Sequence, residues 1–250
     1  MRLAVLSDIH GNLEAFCRCL NDIDLSGVDR IVNLGDSIGY GPQPEEVLNL
    51  LKKKDIPNIL GNHELAAIDK NFRLWLTPRT LESIKHTLKY LSSASLSYIK
   101  NLPTCRVVEG ALLVHGCPPD SPTMYLNQMS LPEIRETFDS NKFTIAFAGH
   151  THRLRLISYD GKDLSSIPLS NDTIVLERGY RYIVNVGSVG QPRDNDPRAK
   201  YVIWDNSLNT IEIRRISYDI DKTAAKIMKR GFQRRDADRL FLGESKQTEK

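Results

Sequence analysis

The sequence predicts an α/β (α+β) fold, a layered sandwich of two mixed sheets flanked by helices. Three observations carry the prediction. Residues 1–60 alternate short apolar runs with amphipathic helical segments, residues 64–102 switch to helical spacing, and most of the remainder is short strand-like runs.

Taken in order, residues 2–7 read as a buried strand and 13–23 as a helix with apolar residues at helical spacing. Residues 30–34 are a second strand, 45–53 a helix opened by the Pro42/Pro44 loop, and 56–60 a third strand. Strand–helix–strand alternation implies a mainly parallel sheet with helices on its faces. Within 64–102, Leu81, Ile84, Leu88 and Leu91 recur at three- and four-residue intervals, so a helical insertion is expected to pack on that sheet. Strand-like runs return at 106–108, 111–114, 143–147, 154–159, 173–176, 182–186, 201–204 and 210–214. One helix, 134–138, falls among them, and a closing helix spans 219–229. No repeat or low-complexity linker divides the chain. Residues 1–243 are therefore expected to form one domain, with a polar, frayed tail at 244–250.

Composition narrows the function. With 250 residues, 40% hydrophobic and 26% charged, the chain can bury a sizeable core. No run approaches the ~20 apolar residues needed to cross a bilayer. The start, Met1 to Asp8, turns polar too early for a secretory signal, so a cytoplasmic location is expected. Cys17, Cys19, Cys105 and Cys117 form no CxxC pair, and Cys17 reads as a small buried hydrophobe. A net charge of +3 argues against a nucleic-acid polymer as partner. The basic run Lys229, Arg230, Arg234, Arg235 and Arg239 reads as the solvated face of a terminal helix.

Five of the six histidines stand beside loop-forming residues at predicted strand ends. Asp8 and His10 follow the first strand, two residues apart, so in extended chain both side chains point the same way. Asp36 follows the second strand, Asn62 and His63 the third, His115 the 111–114 run, and His150 and His152 the 143–147 run. His86 lies in the insertion and is given no role. Each motif alone has an ordinary explanation: a helix N-cap for Asp8, a turn for Gly35-Asp36 or Gly61-Asn62, a hydrogen-bonded strand end for His115. The ordered set is different. Ligand sites of open α/β sheets lie outside the carboxyl ends of strands, where these loops converge. Imidazole and carboxylate donors suit zinc, iron or manganese.

This order (Asp-x-His, Gly-Asp, Gly-Asn-His-Glu, His, Gly-His-x-His, from Asp8 to His152) resembles the calcineurin-like metallophosphoesterase superfamily. The Asn185 to Asp194 segment is similar to the Gly-Ser loop of its small bacterial and archaeal phosphodiesterase-like members. The resemblance implies a four-layer αββα sandwich and two divalent cations. One would be bound by Asp8, His10, Asp36 and His152, the other by Asp36, Asn62, His115 and His150, with Asp36 bridging. It places His63 beside the phosphate as general acid or transition-state donor. A hydroxide bridging cations ~3.5–4 Å apart would then attack phosphorus in line, with Asp36 as catalytic bridge.

Arg193 is a candidate phosphate contact, or else a surface arginine paired with Asp194 or Asp196; Tyr40 is a candidate substrate contact, or else a packed loop aromatic; and Asn62 is a candidate substrate contact besides its place in the second metal set. The family's protein phosphatases carry an Arg shortly after Gly-Asp, whereas this chain continues Ser37-Ile38-Gly39-Tyr40. That departure favours a small phosphodiester over a phosphoprotein or dinucleotide. The alternatives are a phosphomonoesterase and a non-catalytic scaffold with this fold.

Overall fold

The structure, a computed structural model, describes residues 1–170 and 172–243; the tail expected at 244–250 lies outside them. Eleven strands among the described residues form two mixed sheets. The first has the order β2 (Arg30–Asn33), β1 (Arg2–Leu6), β10 (Ala199–Asp205), β11 (Thr210–Ile216), β8 (Thr173–Val175), with only β1 and β2 parallel. The second has the order β3 (Cys105–Val108), β4 (Ala111–Val114), β5 (Ile145–Ala148), β9 (Arg181–Val186), β6 (Leu154–Tyr159), β7 (Leu164–Pro168), with β4, β5 and β9 parallel.

Side-chain alternation in β1 explains the layering. Leu3 and Val5 point between the sheets, where they meet Val184, Val186 and Phe147 of the second sheet. Ala4 and Leu6 point the other way, onto Phe16 and Leu20 of α1 (Leu13–Leu25) and Val47, Leu48 and Leu51 of α2 (Pro44–Lys53). On the far side, Ala146, Ala148 and Ile183 pack against Ile134 and Phe138 of α6 (Leu131–Ser140). The result is the expected four-layer αββα sandwich.

The insertion holds α3 (Asn62–Ile68), α4 (Pro78–Thr87) and α5 (Ser93–Lys100), linked by short 3₁₀ turns. Two helices close the described chain: α7 (Ile220–Lys229) and α8 (Arg234–Leu242). Their own apolar cluster of Ala224, Ile227, Phe232, Ala237 and Leu240 is covered by Tyr90 from the insertion.

Five expectations are corrected. The sheet begun by residues 2–33 is mainly antiparallel rather than mainly parallel, because β10, β11 and β8 from the second half of the chain extend it beyond the parallel β1–β2 pair. Residues 56–60 are extended but join neither sheet, making one parallel bridge between Asn33 and Asn58, because α3 begins at once and leaves no length for a ladder. β7 was not anticipated: its sequence, Leu-Ser-Ser-Ile-Pro, is too polar to announce a strand, and it is an edge. Cys17 is exposed and its neighbour Cys19 is the buried thiol, since α1 turns position 17 to solvent. The basic run is not one solvated face. Gly231 breaks it into two helices, Arg230 pairs with Glu46 at 2.6 Å, and Arg239 turns inward.

Candidate metal centre

The sandwich brings the carboxyl ends of β1, β2, β4 and β5 to one edge. Backbone and side-chain hydrogen bonds fuse their loops: Asp8 N–H donates to Gly35 O at 3.1 Å, Gly149 N–H to His115 O at 2.8 Å, and His150 N–H to Asp8 Oδ2 at 2.9 Å. The loop after β9 closes the ring, with Ser188 Oγ on Asp8 O at 2.8 Å.

All eight side chains singled out in the loop motifs meet there, and all are buried. His10 Nε2 lies 3.1 Å from His152 Nε2, which is 3.1 Å from Asp8 Oδ1. His115 Nε2 lies 3.1 Å from Asn62 Oδ1, 3.2 Å from His150 Nδ1 and 3.4 Å from Asp36 Oδ2. Asp36 Oδ2 is also 3.6 Å from His10 Nε2 and 3.9 Å from His63 Nε2, so it stands between the two groups.

The tautomers make this a metal cluster in form. Each outer ring nitrogen faces a backbone carbonyl: His10 Nδ1 faces Ile38 O (3.0 Å), His115 Nδ1 Leu34 O (2.8 Å), His152 Nδ1 Gln191 O (2.6 Å) and His150 Nε2 Thr123 O (3.2 Å). A carbonyl accepts only, so these nitrogens carry the protons and the inward nitrogens of neutral rings present lone pairs. The lone pairs of His10 and His152 then face one another and a carboxylate oxygen, an arrangement that repels unless a cation lies among them. Asp8 Oδ1 is buried with no hydrogen-bond partner, as an oxygen reserved for a cation would be. The donor set, histidine nitrogens and carboxylate oxygens without thiolate, fits divalent transition metals.

Titration follows the same logic. Burial alone would raise the pKa of Asp8 and Asp36, but His152 beside Asp8 and His115 beside Asp36 hold both well below the carboxylate range. Burial lowers His63 to about 3 and His152 to about 4, so both rings are neutral at pH 7. His115 goes the other way. Burial opposes its charge, yet Asp36 raises it to about 9. With no cation bound, His115 carries the positive charge that Asp36 requires.

Backbone strain marks the same residues. Asp8, His10, Asp36, His150 and His152 all have positive φ, between +48° and +66°, a conformation costing non-glycine residues of order 1–3 kcal/mol each. Gly39 shows why its position has no side chain: at φ +90°, a Cβ there would stand 2.0 Å from His63 Nδ1.

Residues 1–207 match the family described as the calcineurin-like phosphoesterase superfamily domain. The chain belongs to that superfamily. As a calcineurin-like phosphoesterase it is 32% identical over 245 residues to an uncharacterised protein of Methanocaldococcus jannaschii, covering 96% of this chain and 98% of that one. It is similar to the crystal structure of a metallophosphoesterase from Sphaerobacter thermophilus, at 32% identity and a TM-score of 0.83, over 97% of this chain and 99% of that one. A stretch of 66 residues is 32% identical to serine/threonine-protein phosphatase 2 of Escherichia coli, covering 26% of this chain and 30% of that one.

Around the centre of this phosphoesterase, Arg193 meets neither Asp194 nor Asp196. Those pair with Lys200 (2.8 Å) and Arg198 (2.6 Å), while Arg193 Nη2 donates to Gln191 Oε1 at 2.9 Å. Tyr40 is a packed aromatic: its ring centroid lies 4.6 Å from that of His63 and 5.0 Å from that of His10, and its hydroxyl meets Thr80 Oγ1 at 3.2 Å. His86 stays outside the site, on Arg230 O at 2.6 Å.

Glu64 has a structural part that the motif alone did not disclose. Its carboxylate accepts N–H groups from Asp36 (2.8 Å), Ser37 (2.7 Å), Ile38 (3.3 Å) and Gly61 (3.1 Å), tying the Gly-Asp turn to the start of α3. Burial and then Asp36 push its pKa up to about 8, against His115 and the N–H groups of Ser37 and Asp36. Tyr125, stacked 3.6 Å from the His150 ring, carried no signal in the sequence, since it lies in a loop with no motif.

Proposed function

We propose that this chain is a two-metal phosphoesterase that hydrolyses a small phosphodiester, with Asp8, His10, Asp36 and His152 holding one cation and Asp36, Asn62, His115 and His150 the other. The observation that carries the reading is the convergence of ring nitrogens and carboxylate oxygens on two points that share Asp36 Oδ2. Divalent cations held there supply an activated water nucleophile near neutral pH and neutralise the phosphoryl oxygens.

The chain's own groups do the rest. Asp36 sets the spacing of the two groups, and its Oδ1 is fixed by the His63 N–H at 2.9 Å. His63, neutral at pH 7, acts as a hydrogen-bond donor to the phosphoryl oxygens that gain charge rather than as a standing acid. Arg193 offers a planar fork with Nε free of any hydrogen-bond partner. Its charge contributes to the lowered pKa of both His63 and His152, and its guanidinium lies 5.9 Å from the centroid of the Tyr40 ring that packs on His63, which supports a phosphate-contacting part for it.

A diester is favoured because no Arg follows Gly35-Asp36. A phosphomonoesterase is the second reading, supported by Arg193 as a cation beside His63 and by the local likeness to a protein phosphatase. Parallel turnover of a bis-aryl phosphodiester and an aryl phosphomonoester by manganese-loaded protein decides. The diester should be the faster substrate by at least about tenfold in kcat/KM. Turnover of neither, at full metal occupancy, removes the enzyme reading and leaves the scaffold.

A further inference from the structure

Beyond the metal centre, three guanidinium groups from three separate parts of the chain gather beside Tyr40, two of them over its ring and the third on a shared acceptor. Arg79 of α4 sits 5.4 Å from the Tyr40 centroid, and Arg193 of the loop after β9 sits 5.9 Å from it. Arg239 of α8 shares an acceptor with Arg193: both donate to Gln191 Oε1, at 3.2 and 2.9 Å. The opposite face of this assembly is the catalytic cluster itself, since the Tyr40 ring also packs against His10 and His63.

Structural arginines are ordinarily matched by carboxylates or carbonyls. Here Asp236 is committed to Arg79 at 2.6 Å, and Arg193 and Arg239 share one neutral acceptor, Gln191 Oε1. The Nε atoms of Arg79 and Arg193 are buried without a hydrogen-bond partner. Burial, then Arg193 and Arg79, pull the pKa of Arg239 down to about 9, the sign of a cation crowded by its like. All three side chains remain partly open to solvent.

We infer that Arg79, Arg193 and Arg239 form a second anion subsite, which receives a further phosphoryl group of the substrate while the scissile phosphoryl group lies at the metal centre. The substrate class is thus a phosphate ester carrying at least one additional phosphoryl group, on the side of the site walled by Tyr40. Guanidinium forks suit this occupant because each can bind two phosphoryl oxygens at once. The inference rests on the phosphoesterase reading for what lies at the metal centre, but the subsite itself is a property of the arginines.

The test is calorimetric titration of metal-free protein with inorganic pyrophosphate and with inorganic phosphate at low ionic strength, for wild type, Arg239→Gln and Arg79→Gln. Wild type should bind pyrophosphate at least about tenfold more tightly than phosphate, and each substitution should bring that ratio to about threefold or less. Because Arg79→Gln strands buried Asp236, the double variant Arg79→Gln/Asp236→Asn provides a folded check, and Arg239→Lys should keep part of the preference. Equal affinities in wild type, or a ratio that ignores both substitutions, overturns the subsite. Failure of the esterase reading would show separately, as absent turnover of aryl phosphate esters by the metal-loaded protein with the pyrophosphate preference intact.

Discussion

At the scale of single residues, the account turns on which groups hold cations and which face the phosphate. Asp36→Asn removes the charge shared by both groups while keeping the oxygen that accepts the His63 N–H. It should lower kcat by at least about 100-fold and leave one or both metal positions unfilled; wild-type turnover would refute the bridge. His63→Gln should lose about 10²–10⁴-fold in rate with both metals retained, and loss of metal instead would make His63 a ligand. Gly39→Ala offers the same test from the other side. Its Cβ would strike His63 Nδ1 at 2.0 Å, so its rate loss should approach that of His63→Gln with metal content unchanged.

His115 gives the pH dependence. Its pKa is raised to about 9 in the metal-free site, so it is protonated at pH 7.5, and a cation must displace that proton to reach Nε2. Metal binding at pH 7.5 should therefore release about one proton per chain from this residue, and the release should fade as pH rises past 9. Calorimetry in buffers of different ionisation enthalpy reads this directly. Binding heats that do not vary with buffer would show that His115 is already neutral.

At the scale of elements, what could be read from the sequence depended on how local the signal was. The candidate ligands Asp8, His10, Asp36, His115, His150 and His152 were legible because each follows an apolar run whose continuity announces a strand end. The turn at Asn62 and His63 was legible as a motif, but its setting was not: they open α3 rather than follow a paired strand. Glu64 explains why that helix sits where it does. Glu64→Ala would leave four buried N–H groups without their acceptor, and urea unfolding should show a loss of at least about 3 kcal/mol. A loss under about 1 kcal/mol would mean that the turn holds itself. The arginine cluster was beyond sequence reading, since Arg79, Arg193 and Arg239 are brought together only by packing of α4 and α8 against the loop after β9. A run of basic residues on a terminal helix looks solvated until the fold turns one of them inward.

At the scale of the whole molecule, the sandwich buries two carboxylates, Asp8 and Asp36, at the meeting point of both sheets, each under 2% exposed. Burying charge is costly without a counter-charge, and the strained left-handed backbone at five ligand positions adds to that cost. A sandwich of two sheets flanked by helices was legible from the succession of apolar runs and helical segments, and the four-layer αββα order followed only from the family resemblance; strand order was not legible, because pairing partners are set by tertiary contacts. Cations that bind only the folded state should offset the strain. At a hundred times the dissociation constant, each site contributes about 2.7 kcal/mol, so chelation should lower Tm by roughly 10–20 °C. A Tm indifferent to chelator would imply that the loops are held by hydrogen bonds alone.

The most direct measurement is the number of transition-metal ions per chain, taken by elemental analysis on manganese-saturated, desalted protein alongside Asp36→Asn. The account predicts two ions in the wild type and fewer than two in the variant. A single ion or none in the saturated wild type would contradict it.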